Sequence, residues 1–215
     1  MSIHPDYKLY YFNLRGWAEP SRQLFKLAHV AFEDIRIEPI VSAEIPEQWK
    51  ELKPKTPFGQ VPFLEVDGVA IPQSAAICRY LARKFGFAGK TPEEEAWADA
   101  IVDQFKDFVG PLRQLIIAQR AGNPEETARV QKEVFVPARD GFFKILDGIL
   151  EKSKSGWLVG DGLTWADLVI ADNLETLEKL GVLDGAPSRL IELRGKVNSI
   201  EEIKEHNASR PETIV

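Results

Sequence analysis

Apolar and polar residues alternate with two different periods in the first third of the chain. Tyr7 to Asn13 is rich in aromatics and keeps a period of two, which predicts a strand. Pro20 then sits in the first turn of a helix running to about His29. In Glu33 to Glu38, Ile35 and Ile37 alternate with charges and predict a second strand. Pro46 opens a short helix through Leu52. Pro62 to Val66, the pair Asp67-Gly68 and Val69 to Ile71 read as a hairpin. Ser74 stands as the cap of a helix through Phe85, with Ala75, Cys78 and Leu81 on its apolar face.

After a linker, Gly86 to Thr91, the pattern is helical throughout. Pro92 with Glu93 to Glu95 marks a start, since carboxylates favour the positive end of a helix dipole. That helix reaches Arg120, with Gly110-Pro111 expected to bend it. Asn123-Pro124-Glu125-Glu126 offers a cap, a proline at the first helical position and a glutamate at the third. Pro137 is expected to kink the helix that follows. Thr164 to Asp167 starts another helix, which stops before Gly181, and Ser199 to Glu202 repeats the capping pattern. The predicted order is βαβαββα followed by helices alone. A parallel first pair needs a helical crossover and the last pair a tight turn. This is a thioredoxin-like α/β domain at residues 1–85, a linker at 86–91 and an all-α domain at 92–215.

Composition narrows the function. The chain has 215 residues and a net charge of −6, unsuited to neutralising nucleic-acid phosphates or docking on an anionic membrane. No apolar run approaches the ~20 residues of a spanning helix, and Met1 to Lys8 lacks a signal-peptide pattern. The single cysteine, Cys78, precludes an internal disulfide and points to a reducing, cytoplasmic compartment. Three scattered histidines (His4, His29, His206) provide no metal-ligand spacing, so no metal is expected.

Four stretches carry candidate chemistry. Tyr10, Tyr11 and Phe12 lie where a strand runs into a Gly-containing turn, a place that lines ligand crevices in α/β sheets; on pattern alone sheet packing is the favoured reading. In Thr56 to Pro62, a cis Val61–Pro62 bond would turn the Val61 backbone outward to pair with an extended peptide, and a trans bond would make Pro62 a plain turn residue. Pro72-Gln73-Ser74 opens a helix whose exposed amides suit a carboxylate or simply an ordinary cap. Asp99, Asp103 and Asp107 share one helix face, either solvated or facing a cationic amine or divalent ion.

In this order the stretches resemble the cytosolic glutathione transferases, the sigma class in particular, to which a glutathione-dependent prostaglandin D synthase belongs. The resemblance runs along essentially the whole chain. It rests on Tyr11-Phe12-Asn13, Arg15-Gly16 and Ala18-Glu19; on Pro57 to Pro62; on Leu64 to Gly68; and on Gln73-Ser74 ahead of Ile77 to Leu81. Its helical half is carried by Asp99 to Asp103, Asp107-Phe108 and Leu163 to Asp167.

The resemblance implies that Tyr11 is the catalytic hydroxyl and that Gln73 and Ser74 hold the γ-glutamyl carboxylate of glutathione, the co-substrate. Val61, before a cis Pro62, pairs with the cysteinyl backbone. Trp49 and Lys53 border the glycine end, with Gly59 and Gln60 nearby. Asp107 of the partner subunit reaches the γ-glutamyl amine across a homodimer. Phe12, Gly16, Trp17, Val109 and Leu112 line a pocket for small apolar electrophiles. Thr164 to Asp167 is the family's capping box, with Leu163 and Leu168 as its staple. Two departures stand out: Trp17 occupies the place of an arginine in the prostaglandin-isomerising enzymes, and the stretch from Glu38 to Gln48 is longer than theirs.

The implied chemistry is physically sound. A thiol with a pKa near ~8.5 must ionise to attack, and a tyrosine that titrates near ~10 stays a donor at neutral pH. Lowering the thiol by about two units takes roughly 2.7 kcal/mol. One charge-assisted hydrogen bond supplies about 1.5–3 kcal/mol. Arg15 adds positive potential or else forms a structural ion pair. The expected function is detoxifying conjugation of the thiolate to electrophiles. Glutathione-dependent peroxidase or isomerase activity, a crystallin-like non-catalytic role, and carriage of haem or another large apolar anion at the dimer cleft remain alternatives.

Overall fold

The computed structural model describes residues 5–40 and 44–213. It divides into two compact units, one reaching Phe87 and resuming at Asn198, the other spanning Ala88–Val197.

In the first unit, strands β1 (Tyr7–Phe12), β2 (Glu33–Ile37), β3 (Phe63–Val66) and β4 (Val69–Pro72) form one sheet in the order β2-β1-β3-β4. β1 runs parallel to β2 and antiparallel to β3, which pairs antiparallel with β4. The hairpin turn is Asp67-Gly68, both at positive φ (49° and 83°), as a two-residue primed turn requires. Helices α1 (Glu19–Leu27), α2 (Glu47–Leu52) and α3 (Ser74–Phe85) complete the βαβαββα order. Period two makes one face of β1 bury Tyr7, Leu9 and Tyr11. Tyr7 packs edge-on against Phe25 of α1 at 5.2 Å and Phe85 of α3 at 6.3 Å. Between α1 and α3 the buried Ser21 Oγ and Cys78 Sγ are 3.2 Å apart.

The second unit holds α4 (Pro92–Arg120), α5 (Pro124–Val130), α6 (Val136–Lys152), α7 (Trp165–Lys179) and most of α8 (Ser188–Asn198). The Thr91 side chain accepts from Glu94 N and the Asn123 side chain from Glu126 N, capping α4 and α5. Phe108 of α4 stacks on Phe142 of α6 at 4.9 Å. The capping box of α7 is formed: Asp167 accepts from Thr164 N (2.7 Å), Thr164 Oγ1 (2.9 Å) and Leu158 N (2.9 Å). Burial pushes its carboxyl up to about 6, against these bonds, which lower it.

Four local expectations shift. Ser74 is the first helical residue of α3, and Gln73 takes the cap position at φ 74°. Pro137 does not interrupt a regular α-helix: the backbone stays helical from α5 through a π segment, Gln131–Phe135, into α6, and the proline follows that segment, where the ordinary i→i−4 ladder is already re-spaced. The last helix, α9 (Glu201–Ser209), has Ile200 rather than Ser199 at its cap. Finally, residues from 198 onward group with the first unit, because α9 packs on α1.

Candidate active site at the end of the first strand

The backbone turns sharply after β1 through a 3₁₀ turn, Gly16–Ala18, into α1. This return brings Trp17 N–H to 3.2 Å from Tyr11 Oη, to which it donates. Tyr11 is buried, and a Cβ placed on Gly16 (φ 39°) would lie 2.6 Å from its hydroxyl oxygen. Gly16, assigned from resemblance to the electrophile pocket, is thus also what makes room for the Tyr11 hydroxyl. The neighbouring Tyr10 points to the other face and stacks on Phe63 at 4.3 Å, while burial raises its phenol above the ordinary value.

The loop carrying Gly16 is held from beneath. Arg22 of α1, wholly buried, donates from Nη1 to the carbonyls of Leu14 (2.7 Å) and Arg15 (3.3 Å). Its Nε donates to both carboxylate oxygens of Asp34 at 3.1 Å, and its Nη1 reaches Glu19 Oε2 at 3.2 Å. Glu19 Oε1 in turn lies 2.8 Å from His206 Nε2 and 2.6 Å from Arg210 Nη1. Burial alone would raise the Glu19 carboxyl, but its bonds to and charges from His206 and Arg210 outweigh that and hold it well below the usual carboxylate range. Arg15 is itself buried, and its backbone N–H donates to Thr213 Oγ1 at 3.3 Å.

The other stretches place as follows. The Val61–Pro62 bond is cis. Gln73 Nε2 donates to Gln60 Oε1 at 3.4 Å, joining the stretch before Pro62 to the N-terminus of α3. Gln73 adopts a positive φ, rare for a residue other than glycine and common where backbone is set for binding. Ser74, at the first position of α3, is half-buried. Trp49 is buried with its ring edge-on to Phe12 at 5.4 Å, and Lys53 approaches the Gly59 backbone, its Cε 3.7 Å from where a Cβ would be. Trp17 is exposed. In the long stretch before Trp49, Glu38 N donates to Gln48 Oε1 at 3.2 Å, bridging its ends; residues 41–43 lie outside the described residues.

On α4, Leu112 is buried, Val109 half-buried and Asp107 exposed. Asp103 pairs with Lys106 at 2.7 Å. Among the described residues no group of three or more His, Cys, Asp or Glu side chains is placed to hold a metal, and no helix is long and apolar enough to cross a membrane. Sequence reasoning missed Glu19, Arg22, His206 and Arg210 as supports of the Tyr11 loop. Glu19 and Arg22 read locally as helix-surface charges, and their partners are remote in sequence.

The family model for the glutathione S-transferase N-terminal domain matches residues 7–83, and that for the C-terminal domain matches residues 106–210. Glutathione S-transferase 4 of Caenorhabditis elegans is 51% identical over 213 residues, covering 98% of this chain and 100% of that protein. The crystal structure of the glutathione S-transferase from Ascaris lumbricoides is 47% identical, with a TM-score of 0.89 over 98% of this chain and 100% of that one. That of Na-GST-3 from Necator americanus, described as monomeric, is 43% identical, with a TM-score of 0.87 over 97% and 98%. The mixed sheet and the helices that follow it in sequence therefore match such enzymes from end to end, and the chain belongs to the glutathione S-transferase family.

Proposed function

We propose that this enzyme conjugates the thiolate of glutathione to apolar electrophiles, with the Tyr11 hydroxyl stabilising the thiolate. The observation that carries the reading is the hydrogen bond from Trp17 N–H to Tyr11 Oη. A phenol has one O–H and two acceptor positions. Accepting from the backbone fixes the oxygen in place without using its O–H as the donor. Burial of Tyr11 strengthens such a bond, since water competes less and the local dielectric is low.

Glutathione then lies along the first unit. Gln73 and Ser74 take its γ-glutamyl carboxylate at the N-terminus of α3, where backbone N–H groups and the helix dipole favour an anion. Val61, before Pro62, pairs with the cysteinyl backbone, and Trp49 and Lys53, with Gly59 and Gln60, border the glycine end. Phe12, Gly16 and Trp17 face the electrophile; Val109 and Leu112 are assigned to it by the family resemblance. The same resemblance supports sigma-class character, cytoplasmic detoxification and a homodimer in which Asp107 of the partner subunit meets the γ-glutamyl amine.

The test is turnover of a generic aryl halide. Tyr11→Phe is expected to lower conjugation about 10–100-fold, the loss of one charge-assisted bond, with glutathione binding little changed. Tyr10→Phe is expected to be nearly silent. Damage from Tyr10→Phe with Tyr11→Phe intact would overturn the assignment.

A further inference from the structure

The Tyr11 loop is tied to the far end of the chain by bonds that thiol activation does not obviously require. Three links are continuous. Trp17 N–H fixes Tyr11 Oη at 3.2 Å. The two residues before that turn have their carbonyls held by Arg22 Nη1, at 2.7 and 3.3 Å. Arg22 is oriented by Glu19, and Glu19 by His206 and Arg210 from α9 and its C-terminal edge, at 2.8 and 2.6 Å. A second, independent tie runs from Arg15 N–H to Thr213 Oγ1 at 3.3 Å. Both ties lie within the first unit, to which residues from 198 onward belong.

We propose that α9 and the segment through Thr213 position the Tyr11 hydroxyl, with Glu19 and Arg22 as the relay and Arg210 and Thr213 as positioning residues for thiol activation. The inference rests on Tyr11 being the activating hydroxyl. Its physical basis is rigidity. A hydroxyl aimed by a single backbone N–H is only as well placed as the loop bearing that N–H. The Gly16–Ala18 turn, with glycine at positive φ, has little stiffness of its own. Buried charge-assisted bonds supply that stiffness, because any displacement leaves charge desolvated and unpaired. Arg22 also lies 6.0 Å from the Tyr11 ring centroid, so the relay ends against the catalytic ring itself.

The experiment uses Arg210→Gln and Thr213→Ala in the full chain, with Arg210→Lys and Thr213→Ser as conservative partners and Tyr11→Phe as the reference. Both substitutions lie beyond the last helix, and thermal unfolding measures what each costs the fold. The readouts are the pH profile of aryl-halide conjugation, the apparent pKa of the bound glutathione thiol, and KM separated from kcat.

Arg210→Gln and Thr213→Ala are each expected to raise the thiol pKa by about half to one unit and to lower kcat about 3–10-fold at neutral pH, with KM for glutathione nearly fixed. Thr213→Ser and Arg210→Lys should restore most of the pKa. In the Tyr11→Phe background the same substitutions should change the profile hardly at all, because the group they aim is gone. Unchanged profiles in both variants, or losses that add fully to that of Tyr11→Phe, would overturn the positioning role. Full activity in Tyr11→Phe would instead overturn the thiol-activation reading beneath it, so the two failures are distinguishable.

Discussion

The hydroxyl oxygen of Tyr11 lies where a Cβ on Gly16 would come within 2.6 Å of it. Gly16→Ala is therefore expected to displace that hydroxyl, and the positive φ of 39° adds backbone strain. Conjugation should fall about 10-fold or more, through kcat and the thiol pKa rather than through glutathione affinity. Steady-state kinetics across pH checks this; a normal thiol pKa in Gly16→Ala would contradict it.

Asp107 is expected to act on the neighbouring subunit's glutathione. Asp107→Ala should raise the apparent glutathione constant about 10-fold while leaving the Tyr11-dependent thiol pKa fixed, the loss of one charge-assisted contact. Asp99→Ala, two helical turns away, should do much less. In dimers mixing Asp107→Ala with Tyr11→Phe subunits, one site carries both defects and the other neither, so about half the activity should return. No recovery despite confirmed subunit exchange would refute the shared site. Light scattering at micromolar concentration checks the dimer itself.

Glu19 predicts a pH dependence of stability. Its carboxyl is held below the ordinary range in the folded state, so folding favours the ionised form. That contribution is complete above the unfolded pKa of about 4.3 and fades as pH falls through the folded value. Glu19→Gln should cost about 3 kcal/mol at neutral pH, because it takes the Glu19 carboxylate from the buried Arg210 and from Arg22, which keeps Asp34. The gap to the unmodified protein should stay constant from about pH 6 to 8 and narrow below about pH 4. Urea unfolding at several pH values measures it.

Asp167→Ala removes the acceptor for two backbone N–H groups, those of Leu158 and Thr164, and for the Thr164 hydroxyl. Orphaned buried donors cost about 1–3 kcal/mol each, so the two backbone groups alone should lower stability by roughly 2–6 kcal/mol. The expected signature is a lower thermal midpoint with an unchanged thiol pKa in the surviving folded enzyme.

The elements readable from sequence are those whose signals are local. The Asp67-Gly68 turn needs two positive φ values, and those residue types tolerate them. The α7 box needs Thr164 and Asp167 three residues apart, and they are. Tyr11 could be separated from Tyr10 only through resemblance, since strand period places one on each face without saying which face holds the site. The Glu19 cluster was hidden for a different reason. His206 and Arg210 stand 187 and 191 residues away, and no helical or strand period links positions that far apart. The same remoteness hid the return of residues from 198 onward to the first unit. Ser74 missed the cap position because Gln73 takes a backbone conformation that propensity disfavours.

Cys78 has its Sγ sealed between α1 and α3 against Ser21 Oγ, and burial pushes its pKa up to about 11. A protein that handles electrophiles is exposed to alkylation by its own substrates. At neutral pH this buried side chain stays a thiol, a poor nucleophile, so an electrophile is expected to leave Cys78 unmodified. The same helix pair that supports the sheet thus keeps the Cys78 thiol protonated and out of reach.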